Sequence, residues 1–212
     1  MAMQAIPNLD QLRSYKVRQP GNVEGIGWSL YDFATYVQAG QTSLAFFQAP
    51  VGQSGKTLAD TNMQLAGQLP SGQAFLIESI EIFLFPTFDP SQTSTTDTVV
   101  PEFTNDVYTV AKSGLLTLNI GSKTYVQEAP LGKFPPKTRL AGVDAISTSE
   151  ATVTKFTDYA AMAGRPYILR SPYLLESSQN FSVSLTWPTS VAVSADTRIG
   201  VSMEGVLYRD VQ

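Results

Sequence analysis

The chain has 212 residues, a formal charge of −4 with only 15% charged residues, and neither cysteine nor histidine. That composition excludes disulfides, thiolate and imidazole metal sites, a cysteine nucleophile and a Ser-His-Asp triad, and it names no cofactor. The acidic balance, with no Lys/Arg cluster, also argues against a nucleic-acid footprint, whereas a sparsely charged surface suits burial against partners.

At this length a single core would bury roughly 70% of the unfolded chain's surface and needs no covalent staple. Residues 1–10 lack the basic start and apolar core of a signal peptide, and no apolar run is long enough to span a bilayer, so the expectation is a soluble protein made in a cytoplasm.

Residues 1–27 hold Pro7, Pro20, Gly21, Gly25 and Gly27 with little periodicity, the pattern of an extended arm or edge segment. Residues 28–37 (WSLYDFATYV) and 42–48 (TSLAFFQ) predict two strands, and residues 56–69 a loop with a short turn of helix near Met63 to Ala66, capped from Asp60, Thr61 or Asn62.

Residues 75–85, FLIESIEIFLF, predict the central strand, bounded by Pro70, Gly72, Pro86 and Pro90. Its odd positions are Phe75, Ile77, Ser79, Glu81, Phe83 and Phe85, and its even ones Leu76, Glu78, Ile80, Ile82 and Leu84, so both faces are apolar at both ends. A strand covered on both sides belongs in the middle of a sheet whose outer face is also capped.

Residues 87–105 are Ser-, Thr- and Pro-rich and predict a surface loop. Residues 107–111, 115–120 and 124–127 predict a meander of strands, and residues 129–164 a long connection with a short helix at 155–163. Residues 167–170 and 173–175 frame Pro172. Residues 181–187 (FSVSLTW) alternate without a break, and residues 198–208 close the chain, with a bulge expected at Gly205. The sum is an all-β antiparallel β-sandwich: an N-terminal arm over residues 1–27 and a single domain over 28–212.

Candidate chemistry is thin. GQSGKT at 52–57 matches the end of a phosphate loop, but the required earlier glycine is Pro50 and no long helix follows. Glu78 and Glu81 suggest an acid/base pair, yet a spacing of three sends them to opposite faces of a regular strand, so charge pairing across a sheet or subunit boundary suits them better. Asp89, Asp97, Glu102 and Asp106 lack the spacing of a calcium loop and suit loop solvation. Trp28, Tyr31, Phe33 and Tyr36 suit core and interface packing better than a sugar-stacking platform. Glu78, Glu81, Trp28 and Tyr31 are therefore the candidate subunit-interface residues. The mildly basic stretches Arg13, Lys16, Arg18 and Lys133, Lys137, Arg139 read as solvated or inter-subunit surface.

The pieces FFQAP, GKTLADTNM and AGQLP, leading into the long apolar strand within residues 40–86, resemble capsid proteins of tail-less, jelly-roll bacterial viruses. The resemblance implies a jelly-roll sandwich with long loops and an N-terminal arm. It also implies a major capsid subunit that assembles with copies of itself, as a trimer or larger shell, alongside other virion proteins and without catalysis, located in the virion. Double jelly rolls need two sandwiches, so this length implies one. The alternative is a carbohydrate-binding or adhesin-like β-sandwich using Trp28, Tyr31 and Tyr36. A glycosidase built on carboxylates such as Glu78 ranks third.

Overall fold

A computed structural model describes residues 23–85, 93–94, 102–134, 143–149, 152–157 and 165–210. In chain order the elements are β1 (Val23–Tyr36), β2 (Ser43–Phe46), β3 (Gln73–Phe85), β4 (Thr93–Ser94), α1 (Glu102–Ser113), β5 (Leu115–Ile120) and β6 (Lys123–Pro130), then a 3-10 turn (Leu131–Lys133). They continue with β7 (Val143–Ser149), β8 (Thr152–Thr157), β9 (Tyr167–Leu175), β10 (Phe181–Thr186) and β11 (Thr197–Asp210).

Two four-stranded sheets, β1-β11-β3-β9 and β2-β10-β5-β6, enclose the core, and β4-β8-β7 form a separate three-stranded sheet. All pairings are antiparallel, and four of the six within the sandwich nest: β1 with β11, β2 with β10, β3 with β9, β5 with β6. The expected antiparallel sandwich is thus the observed architecture.

Period-two patterning builds the second sheet directly. Phe181, Val183 and Leu185 of β10 are buried, with Ser182, Ser184 and Thr186 between them half-buried, and Leu116, Leu118 and Ile120 of β5 repeat the scheme. They meet Ile199, Val201 and Met203 of β11 and the inner face of β3 in one continuous core.

β3 reaches that core by changing phase. Glu204 pairs with Ser79 but Gly205 pairs with Ile77, which leaves Glu78 as an extra residue with no opposite on β11. The bulge switches the inward set from Phe75 and Ile77 to Ile80, Ile82 and Leu84, all five at most 2% exposed. Both faces of the sequence look apolar because the inward set changes parity midway and because the outward set keeps Leu76, Phe83 and Phe85 at its ends. At roughly 2 kcal/mol per buried large side chain, these inward residues contribute on the order of 10 kcal/mol, comparable to the net stability of a whole domain.

The bulge lies in β3, opposite Gly205, and not in β11, whose inward residues keep odd numbers through Leu207. On the other flank Ile77 pairs with Tyr173 and Ser79 with Ile168, so residues 169–172, including Pro172, leave the ladder and split the expected two segments of one strand. Pro172 cannot donate to a ladder, which confines it to this edge.

Several local expectations are corrected. Residues 107–111 are helix, not strand: Val107, Val110 and Ala111 form a helical stripe against the core, and the Trp187 indole donates to the Val110 carbonyl at 3.0 Å. Glu102 to Asn105, expected in a loop, begin this helix. Residues 155–157 belong to β8, and residues 158–163 of the expected helix lie outside the described residues. The connection 129–164 contains β7 and β8, and Met63 to Ala66 are not helical. Strand structure starts at Val23, inside the stretch assigned to the arm, and residues 1–22 lie outside the described residues.

Candidate interaction surface

The outer face of the β1-β11-β3-β9 sheet follows from the register. Its rows run Gly25–Tyr208–Ala74, Gly27–Val206–Leu76, Ser29–Glu204–Ser79, Tyr31–Ser202–Glu81 and Phe33–Gly200–Phe83. Three zones result.

At one end Ala74, Leu76 and Tyr208 are buried together and pack against Val23, Leu174 and Val206, an apolar cluster outside the main core. Burial pushes the Tyr208 hydroxyl above its ordinary pKa, and the nearby Glu78 carboxylate adds to this. Beside the cluster, Ile168 of β9 pairs with Ser79 and is 72% exposed.

The middle zone is acidic. Ser202 donates its hydroxyl to Glu204 Oε1 at 2.5 Å, and Glu81, which pairs with Ser202, is 8% exposed. The third zone is aromatic: Phe33, Phe83 and Phe85 have centroid separations of 5.6, 6.0 and 5.9 Å, and the Arg198 guanidinium sits 4.3 Å above Phe33. Gly200 makes room for this packing, because a Cβ there would stand 2.2 Å from the Phe33 ring.

Residues 56–62 strap the outer edge of β1. Phe33 N donates to Asp60 O at 2.7 Å, Tyr31 N to Asn62 Oδ1 at 3.1 Å, and Asn62 Nδ2 to Ser29 O at 2.7 Å. The strap covers unpaired ladder groups that would otherwise template pairing with another chain. Asp32, fully buried, anchors it by accepting from Lys56 Nζ and from Phe47 N, both at 2.5 Å.

Asp60 fastens the far side, accepting from Thr57 N at 3.0 Å and Thr57 Oγ1 at 2.8 Å and pairing with Arg198 at 3.0 Å. These hydrogen bonds, then Arg198 and Lys56, hold its carboxyl below the usual range against a smaller opposing effect of burial. A depressed folded-state pKa gives stabilisation that is complete above the unfolded value near ~4 and lost as pH falls through the folded one. Acidification below about pH 4 is therefore expected to lower the protection factor at Phe33 N, the intrinsic exchange rate over the observed rate at the same pH, while those of β10 amides are unchanged. Asp60→Asn should flatten that acid dependence.

The bulge brings Glu78 and Glu81 to the same outer face, contrary to the opposite faces expected of a regular strand. Tyr31 joins that face, with its hydroxyl donated to Leu58 O at 2.6 Å. Trp28 does not, because it alternates with the inward Leu30; it stands 46% exposed at the end of the sandwich. Tyr36 is fully buried, donating to Val191 O at 2.7 Å, with its ring 4.8 Å from Trp187. Trp28 and Tyr36 thus sit on one side of β1, and Tyr31 and Phe33 on the other, so they form no common platform.

Lys56 of the GQSGKT stretch is engaged by Asp32. Asp106 is buried and accepts from Ser194 N at 2.9 Å and from the Ser194 hydroxyl, pinning a loop to α1 instead of being solvated. Asp89, Asp97, Lys137 and Arg139 lie outside the described residues, as does the side chain of Glu102. Lys133 lies 5.0 Å from the Tyr167 ring centroid. Among the described residues, no group of three or more acidic, His or Cys side chains is placed to hold a metal, and no helix is long and apolar enough to cross a membrane.

Comparison with protein-family models, with curated proteins and with solved structures finds no match for this chain.

Proposed function

We propose that this chain is a virion structural protein, a major capsid subunit whose single jelly-roll body assembles with copies of itself into a protein shell and performs no chemistry. The observation that carries the reading is a sandwich sheet whose inner face fills the core and whose outer face bears apolar groups on either side of its acidic middle: the phenylalanine trio at one end, and at the other the exposed Ile168 beside the Leu76–Tyr208–Val206–Leu174 cluster. Apolar zones on an outer sheet face are a feature expected of a wall built from neighbouring copies.

The nested pairing of β1 with β11, β2 with β10, β3 with β9 and β5 with β6 supports the jelly-roll reading. That fold serves capsids, lectins and cupins alike, so the site must choose among them. The division of Trp28 and Tyr36 from Tyr31 across β1 removes the platform on which the carbohydrate-binding alternative relied.

The test is assembly. Purified protein studied by size-exclusion with light scattering and negative-stain microscopy is expected to form trimers, pentamers, hexamers or shells. Ile168→Asp should block those assemblies while changing subunit stability by no more than about 0.5 kcal/mol, as befits an exposed site. A strict monomer at high concentration contradicts the proposal.

A further inference from the structure

The strap covers only part of the β1 edge. The groups it engages belong to Ser29, Tyr31 and Phe33, which shows that odd-numbered residues of β1 turn their N–H and C=O away from β11. The β1–β11 register runs without a shift from Val23 to Tyr36, so Gly25 and Gly27 present their backbone groups to the same side. Among the described residues nothing pairs with them there. Both glycines are exposed, and a Cβ on Gly27 would meet nothing within 4 Å.

We propose that this open half of β1 is a strand-addition site whose occupant is the same half-strand of a second copy, paired antiparallel about a two-fold axis through Ile26. The argument is self-complementarity. With Ile26 opposite its own copy, Gly25 faces Gly27 of the second copy in both directions, so the outward donors and acceptors satisfy one another. Glu24 then faces Trp28 of the second copy and not another Glu24, so no like charges meet.

Arg209, which lies across from Glu24 and is ion-paired to it at 2.5 Å, is positioned for its guanidinium to cover that indole. The pairing gives the 46%-exposed Trp28 a partner, and it ends at Ser29, whose carbonyl the strap already occupies. The result is a continuous eight-stranded sheet across two copies, counting the four strands of each. The inference stands apart from the capsid reading, since a two-fold pair forms with or without a shell.

The chain has no cysteine, which makes a single-cysteine scan clean. A non-hydrogen-bonded antiparallel pair sets opposing Cα atoms about 4.5 Å apart, within the ~4.4–6.8 Å range of a disulfide. Under mild oxidation Ile26→Cys is expected to give a covalent dimer. Glu24→Cys and Trp28→Cys should give none separately but a heterodimer when mixed.

Gly27→Pro removes an outward N–H without touching the β11 ladder. It should weaken dimerisation at least tenfold by light scattering, with the far-ultraviolet circular dichroism unchanged. A wild-type protein that stays monomeric at high concentration, or cross-linking with no preference for position 26 over 24 and 28, overturns the proposal, including when larger assemblies form by another surface.

Discussion

Gly205→Ala is expected to destabilise the domain by about 3 kcal/mol or more, a large share of the roughly 5–15 kcal/mol that holds a typical domain folded. Gly205 sits opposite the β3 bulge, where a Cβ would lie 1.8 Å from the Leu76 carbonyl oxygen and 3.2 Å from Glu78 N. Those obstacles are backbone atoms of the central strand, so no rotamer change relieves the overlap. Only a shift of β3 against β11 can, and that shift would dislodge Ile77 and Phe75 from the core.

Urea denaturation followed by tryptophan fluorescence measures the loss. Gly27→Ala is the control, since its added methyl meets open space and should change stability by no more than about 1 kcal/mol. Equal effects at the two positions would show that the bulge tolerates displacement and that the phase change of β3 is not fixed by Gly205.

That bulge also marks where the sequence was legible and where it was not. β10 alternates cleanly because one of its faces is core throughout, so a period of two suffices to orient it. β3 is equally regular in its hydrogen bonding on either side of Glu78, but one inserted residue exchanges its faces, and no local feature of ESIE announces the insertion. The assignment of Glu78 and Glu81 to opposite faces failed for that reason alone.

The opposite lesson holds for Trp28, Tyr31, Phe33 and Tyr36, whose odd and even numbering already separates them once β1 is known to be regular. In α1 the β-branched and aromatic run Val107-Tyr108-Thr109-Val110 carries strand propensity, and contact of one helical stripe with the core prevails over it. The strap was illegible for a further reason. Its pairing with β1 uses the side chains of Thr61 and Asn62 as well as backbone, which leaves no alternation to detect.

Asp32→Ala is expected to cost about 3 kcal/mol and to release the strap. The carboxylate is fully buried and satisfies two donors at once, the Lys56 ammonium and the Phe47 backbone N–H. Phe47 holds a positive φ of 65°, a conformation a phenylalanine adopts only when its surroundings fix it, and the bond from its N–H to Asp32 is one of those constraints. Truncation leaves that N–H orphaned and takes away the charge partner of an ammonium that is 18% exposed, keeping only its bond to Phe33 O at 3.0 Å.

Lys56→Met should also be costly, because it strands a buried carboxylate. The double variant Asp32→Leu with Lys56→Met is expected to be less destabilised than the sum of the Asp32→Leu and Lys56→Met single variants by at least about 1 kcal/mol, the coupling expected for a buried pair replaced by apolar volume. Denaturant midpoints of the four proteins give that coupling directly, and additive losses would count against a buried pair acting as one unit. Hydrogen exchange supplies the structural counterpart. In Asp32→Ala the amides of Tyr31 and Phe33, which donate to the strap at 3.1 and 2.7 Å, should lose protection before those of β10. Once bare, that edge extends the open half of β1 toward Phe33, so the same variant is expected to aggregate at lower concentration than the wild type.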